Sequence, residues 1–172
     1  MFRRRGSDAP ASAYKMRERM LSIGDDFWIE DGSGQRVFLV DGKALRVRET
    51  LELKDAQGTI LYTIKEKLVS IRDVMTIEKD GQPVATVKKA LVSPLRERYN
   101  VEFANGTAWK VQGNIVDHEY EIEDPGGRVA KVSKAWFRIR DTYGIEVAPE
   151  QDDAMALAVA IVVDQMSHDI GR

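Results

Sequence analysis

The stretch DDAMALAVAIVVDQMSHD, residues 152–169, holds an unbroken apolar run from Ala154 to Val163. Ala, Leu and Met are strong helix formers, and they dominate its first half. Pro149 suits a first helical position, Glu150, Asp152 and Asp153 suit the positive end of a helix dipole, and Gly171 suits a helix end. The spacing therefore predicts a helix over about residues 150–168. Ten apolar residues rise only about 15 Å as a helix, against about 30 Å of hydrocarbon in a bilayer. Asp152, Asp153, Asp164 and Asp169 flank the run without a cluster of Lys or Arg, which is the wrong sign for an anionic membrane surface. A surface helix would also show a polar face along its whole length. Here nearly three turns are apolar on every side, so the helix must be enclosed on every side. Only its two ends are polar, as in a rod threaded through a tube.

The rest of the sequence supplies the tube. Between residues 27 and 147 short apolar or alternating runs are broken by turn pairs: Asp31-Gly32 with Gly34, Asp55 to Gly58, Asp80-Gly81, Asn105-Gly106, Asp124 to Gly127, and Asp141 to Gly144. Asn-Gly is a strong short hairpin signal, because both residues tolerate positive φ. In LELKD, Leu51 and Leu53 share one face while Glu52 and Lys54 share the other. Tyr120 and Ile122 oppose Glu121 and Glu123 in the same way, as antiparallel sheet in water requires. Six hairpins make about twelve strands. An open sheet of that width would expose two long edges, so a sandwich or a closed antiparallel barrel is expected, and the closed barrel is the reading that gives the C-terminal helix its enclosure. A barrel so wide cannot be filled by its own side chains, and the C-terminal helix is the expected filler.

The 172 residues fit one domain, expected over 14–172, behind a disordered tail at 1–13 that contains Arg3, Arg4 and Arg5. The net charge is −2, which argues against nucleic acid as partner. There is no cysteine, which excludes disulfides, thiolate catalysis and cysteine metal sites and fits a cytoplasmic location. No transmembrane segment is expected.

A search for chemistry yields little. Asp117, His118 and Glu119 are neighbours on a strand-like segment, where alternate residues diverge, so they are expected to form a solvated strand end and not a metal site. His168 is expected to cap the helix end. Asp25 and Asp26 diverge too, and no nucleophile or base accompanies them. Asp41-Gly42-Lys43 lacks the glycine spacing of a phosphate loop. No catalytic residue, metal or cofactor is expected. The basic residues Arg46, Arg48, Lys65, Lys67, Lys88 and Lys89 are the candidate site for an anionic ligand, with Arg72, Arg96 and Arg98 nearby in sequence. Glu49, Glu52, Glu66 and Glu97 interleave them, and that pattern also suits an ordinary solvated wall.

The segments MRERMLSIGDDFWIEDGSGQRVFLVDGKAL, LELKDAQGTILYTIKEKL, RYNVEFANGTAWKVQGNIVDHEYEI and AMALAVAIVVDQM, in that order, resemble the LURP-one-related family of the tubby C-terminal-like superfamily. The likeness runs over about residues 14–168 and lies in order and spacing, not in one diagnostic motif. It implies a twelve-stranded barrel around a hydrophobic C-terminal helix. It also implies kinship with tubby proteins, which bind phosphoinositides, and distant kinship with phospholipid scramblases. Neither a tubby-type basic lipid site nor an acidic calcium segment can be matched residue by residue. The expectation is a non-catalytic binding or scaffold module whose partner is an anionic membrane lipid or a protein. A scramblase-like membrane protein and an enzyme of unknown reaction are the alternatives.

Overall fold

The computed structural model describes residues 10–17, 26–42, 50–66, 74–90, 97–136 and 142–168. It contains twelve strands: β1 (Ser12–Arg17), β2 (Phe27–Asp31), β3 (Arg36–Asp41), β4 (Thr50–Asp55), β5 (Ile60–Glu66), β6 (Val74–Lys79), β7 (Gln82–Ala90), β8 (Glu97–Phe103), β9 (Ala108–Asn114), β10 (Glu119–Asp124), β11 (Gly127–Ser133) and β12 (Thr142–Val147). A single helix, α1 (Asp153–His168), follows. Each strand lies antiparallel beside its sequence neighbours, and β1 closes the barrel by pairing with both β2 and β12.

The period-two pattern separates inside from outside. Leu51, Leu53, Ile64, Ile77, Val87, Val101, Val111 and Ile122 point into the bore and are buried. The helix runs down that bore, and no residue from Ala156 to Val163 is more than 1% exposed. Ala156, Ala158 and Ala160 keep the rod narrow, while Leu157, Ile161 and Val162 fill the space toward the wall. Burial of such side chains contributes roughly 1.5–3 kcal/mol each.

The rim where β12 hands over to the helix is built from tight turns. Asp31 Oδ1 accepts from the Ser33 and Gln35 amides at 2.9 and 3.0 Å, and Asp55 Oδ1 accepts from Gln57 and Thr59 at 2.9 Å each. Asn105 Oδ1 accepts from the Thr107 amide at 3.0 Å, and Gly106 takes the positive φ, 90°, that the Asn-Gly pair anticipates. Register shifts at Ile29/Glu30, Leu53/Lys54, Ile77/Glu78 and Ile122/Glu123 sit one or two residues from these turns. Such bulges add the local twist that a closing barrel needs.

Three expectations are corrected. The chain enters the barrel at Ser12, not at 27, and β1 overlaps the expected tail by two residues; residues 1–9 lie outside the described part. Met16 is fully buried and β1 pairs along its whole length with β12, so this strand is part of the wall. The expected turn at Asp141 to Gly144 is absent: Thr142 to Val147 form β12, and Gly144 pairs with Lys15 on one side and Ser133 on the other. The helix begins at Asp153, after Pro149. Asp152 is its N-cap, its Oδ1 accepting from the Met155 amide at 3.0 Å.

Gly113 on β9 has φ 140°, and a Cβ there would lie 2.6 Å from the Glu119 carbonyl oxygen and 2.8 Å from Tyr120 Cα. Gly113→Ala should cost about 1–3 kcal/mol through backbone strain alone, seen as a fall in thermal midpoint. Because the helix is the core of the barrel, a chain ending at Ala148 should show no cooperative melting transition; a soluble truncation that melts cooperatively would refute this dependence.

Candidate functional site

The polar groups on the inside of the barrel hold the helix at both ends. At the entry rim the Tyr14 hydroxyl donates to Asp153 and the Tyr62 hydroxyl donates to Asp152 Oδ2 at 2.7 Å. Burial first, and then these carboxylates, raise both phenol pKa values well above the ordinary one. At the far end His118 Nε2 lies 2.7 Å from Asp164 Oδ1, with both side chains at most 5% exposed. The imidazole stacks on Tyr143 at 4.3 Å between ring centroids and 26° between planes. His118 is thus not the solvated strand end expected from its neighbours. It closes the turn Ile115–His118 with φ 52°, and that left-handed conformation swings the ring inward. The buried Tyr120 hydroxyl lies near the same carboxylate and has its pKa raised by burial and by the Asp164 charge. These contacts fix the helix in the bore.

The candidate basic residues are distributed as follows. Arg46, Arg48 and Lys67 lie outside the described residues, as do Arg72 and Arg96. Lys65 pairs with Glu78 at 3.0 Å, Lys88 with Glu102 at 3.3 Å and Lys89 with Glu97 at 3.5 Å. The partners are cross-strand diagonals: Lys65 faces Thr76 while Glu78 faces Thr63, and Lys88 faces Asn100 while Glu102 faces Thr86. Arg98 donates to Gln112 on β9 at 3.4 Å. The described lysines are therefore neutralised along the wall and do not converge. Partly exposed pairs of this kind contribute about 0–1 kcal/mol each.

The rim opposite the tight turns differs in character. Val116, in the β9–β10 turn, is 62% exposed, and Trp136, just after β11, is 42% exposed. Their two segments are tied together, since Ser133 Oγ and the Lys134 amide both donate to Glu119 Oε1 at 2.8 and 3.0 Å. One large apolar side chain, Ile60, is similarly exposed at the entry rim. Among the described residues, no three of His, Asp and Glu stand together as a group that could hold a metal ion, and Asp117 is engaged by Asn114 at 2.7 Å.

A family model described as LURP-one-related matches residues 12–164, all twelve strands and most of the helix. The chain belongs to the LURP-one-related family. Relatives include the Bacillus subtilis protein YxjI, 29% identical over 151 residues that cover 88% of this chain and 91% of that one. Protein LURP-one-related 8 of Arabidopsis thaliana is 24% identical over 164 residues, covering 87% and 84%. An X-ray structure of an Arabidopsis thaliana protein shares the fold, with a TM-score of 0.65, 18% identity and coverage of 93% and 92%. That likeness is one of fold.

The two tyrosine clamps lead to a pH prediction. Raised phenol pKa values stabilise the folded state in full below the unfolded value of about 10, and that contribution is lost as pH climbs above it. The unfolding free energy should fall from pH 9.5 to 11, and the Tyr14→Phe/Tyr62→Phe double variant should show a shallower fall. At pH 7 the double variant should be about 1–4 kcal/mol less stable by denaturant titration, for two lost hydrogen bonds to carboxylates.

Proposed function

We propose that this member of the LURP-one-related family is a non-catalytic, tubby-like binding module that engages an anionic phospholipid surface. It does so with the rim opposite the helix entry. The observation that carries the reading is the contrast between the two rims. The helix-entry rim turns on GSGQ, AQGT, Asp80-Gly81, ANGT and Pro125-Gly126, all short and without a Lys or Arg. The opposite rim exposes Val116 and Trp136, and the chain leaving the described strand ends there reads KALRVRE (43–49), KLVSIRD (67–73) and FRIRD (137–141). Apolar and basic residues mixed in this way suit a headgroup layer, where amphipathic Trp inserts and each cation adds about 1 kcal/mol. On this reading Arg46, Arg48 and Lys67 supply the attraction, and Lys65, Lys88 and Lys89 contribute less because each is paired with a carboxylate. No helix among the described residues is long and apolar enough to cross a membrane. An anionic leaflet facing a reducing compartment, the cytoplasmic one, is the surface this chemistry fits.

Vesicle co-sedimentation at physiological salt tests this. Binding should require phosphatidylserine or phosphoinositide in the vesicle. The Arg46→Gln/Arg48→Gln/Lys67→Gln variant should bind about a hundredfold more weakly, at about 1 kcal/mol per cation. Lys88→Gln should change little. Equal binding to neutral and anionic vesicles, or none to either, would dispose of the proposal.

A further inference from the structure

A second surface feature lies on the side of the barrel, across β1, β2 and β3. A cleft of about 210 Å³ opens there, lined by Lys15, Asp26, Phe27, Trp28, Glu30 and Arg36. Register explains the gathering. Lys15 faces Glu30 across the β1–β2 pair, and Glu30 faces Arg36 across the β2–β3 pair, so one carboxylate stands between two cations. Glu30 is committed to Lys15 at 3.4 Å. Arg36 instead places its guanidinium carbon 5.8 Å from the centre of the Trp28 ring and has no carboxylate partner among the described residues. A guanidinium held against an aromatic face keeps its in-plane N–H fork free, and that fork matches a carboxylate or phosphate.

From this juxtaposition we infer that the cleft is a binding site for a small organic anion, a carboxylate or phosphate monoester carrying a flat apolar group. The anion would take the Arg36 fork with Lys15 close by, and the flat group would lie against Trp28 and Phe27. The volume sets the size. Drug-sized ligands occupy roughly 300–1,000 Å³, so this cleft holds only a fragment of one ring and one charged group. Asp26 stands at the other end of the cleft. Asp26 shares a hydrogen bond with Asp41, and desolvation followed by that bond raises its pKa. Asp41 is itself held by Lys54 at 2.7 Å.

The same chemistry is offered by a free metabolite and by a lipid headgroup, and the site does not depend on the rim proposal. Titration calorimetry of the full chain with phenyl phosphate, benzoate, inorganic phosphate and uncharged benzamide separates these ideas. Phenyl phosphate and benzoate should bind saturably, and better than inorganic phosphate, while benzamide should not bind. Arg36→Gln should weaken binding about tenfold or more, and Arg36→Lys, which keeps the charge but loses the fork, should fall between. Trp28→Leu should weaken the two aromatic ligands and leave inorganic phosphate unchanged. Unaltered thermal midpoints in the Arg36 variants, which change an exposed side chain, separate lost binding from lost folding. If Arg36→Gln abolishes phenyl phosphate binding and spares anionic vesicles, the ligand is a soluble anion; if it abolishes both, the cleft takes the headgroup. Absence of saturable binding by either aromatic anion, or binding undiminished in Arg36→Gln, would overturn the site.

Discussion

A helix with no polar face cannot exist in water, and a twelve-stranded barrel cannot exist empty. Each solves the other's problem here, and the remaining structure follows from that dependence. The strands need a rod of fixed thickness, so the helix carries Ala156, Ala158 and Ala160 among its larger residues. The rod needs a continuous apolar wall, so most strands present two or more buried apolar residues to the bore. The short entry turns and their bulges set the twist that lets β1 meet β12.

Polar contacts decide where along the bore the helix stops. Dispersion and burial are nearly indifferent to a small sliding of one apolar surface past another, whereas hydrogen bonds are not. Tyr14 and Tyr62 hold Asp153 and Asp152 at one end, and His118 holds Asp164 at the other, about three turns along. Removing one partner from such a buried pair leaves the other desolvated, which is costlier than never having had the pair. The same groups that look like candidates for chemistry are thereby committed to fixing the depth of the helix.

Much of this was legible in the sequence, because its signals are local. Asp-Gly and Asn-Gly pairs mark turns by their own backbone preferences, and the helix declares itself by composition. The misreadings occur where a distant neighbour decides. Ser12 and Ala13 read as the end of a polar tail until β12 supplies their partners. Asp141 to Gly144 has turn-like composition, yet Gly144 is held extended between β1 and β11. His118 sits among acids in sequence, but a positive φ directs it to a helix 46 residues away. The candidate basic site suffers most. Lys65 and Lys88 are paired with carboxylates on adjacent strands, and only knowledge of register reveals those partners. The Arg36–Trp28 stack is hidden for the same reason, since the two residues stand on different strands.

The closure of β1 onto β12 also bears on how the protein is made. The wall's first strand must wait for its last, and the filler of the bore follows later still. The contacts that close the barrel join residues more than a hundred positions apart, such as Tyr14 and Ile145, and the helix reaches back as far as Tyr14. Folding dominated by such distant contacts is slow, because chain entropy must be spent before the contacts return it. A ribosome emitting this chain therefore produces twelve strands with their apolar sides uncovered before the helix appears. The growing polypeptide is at its most aggregation-prone just before the helix appears, and chaperone demand should peak there.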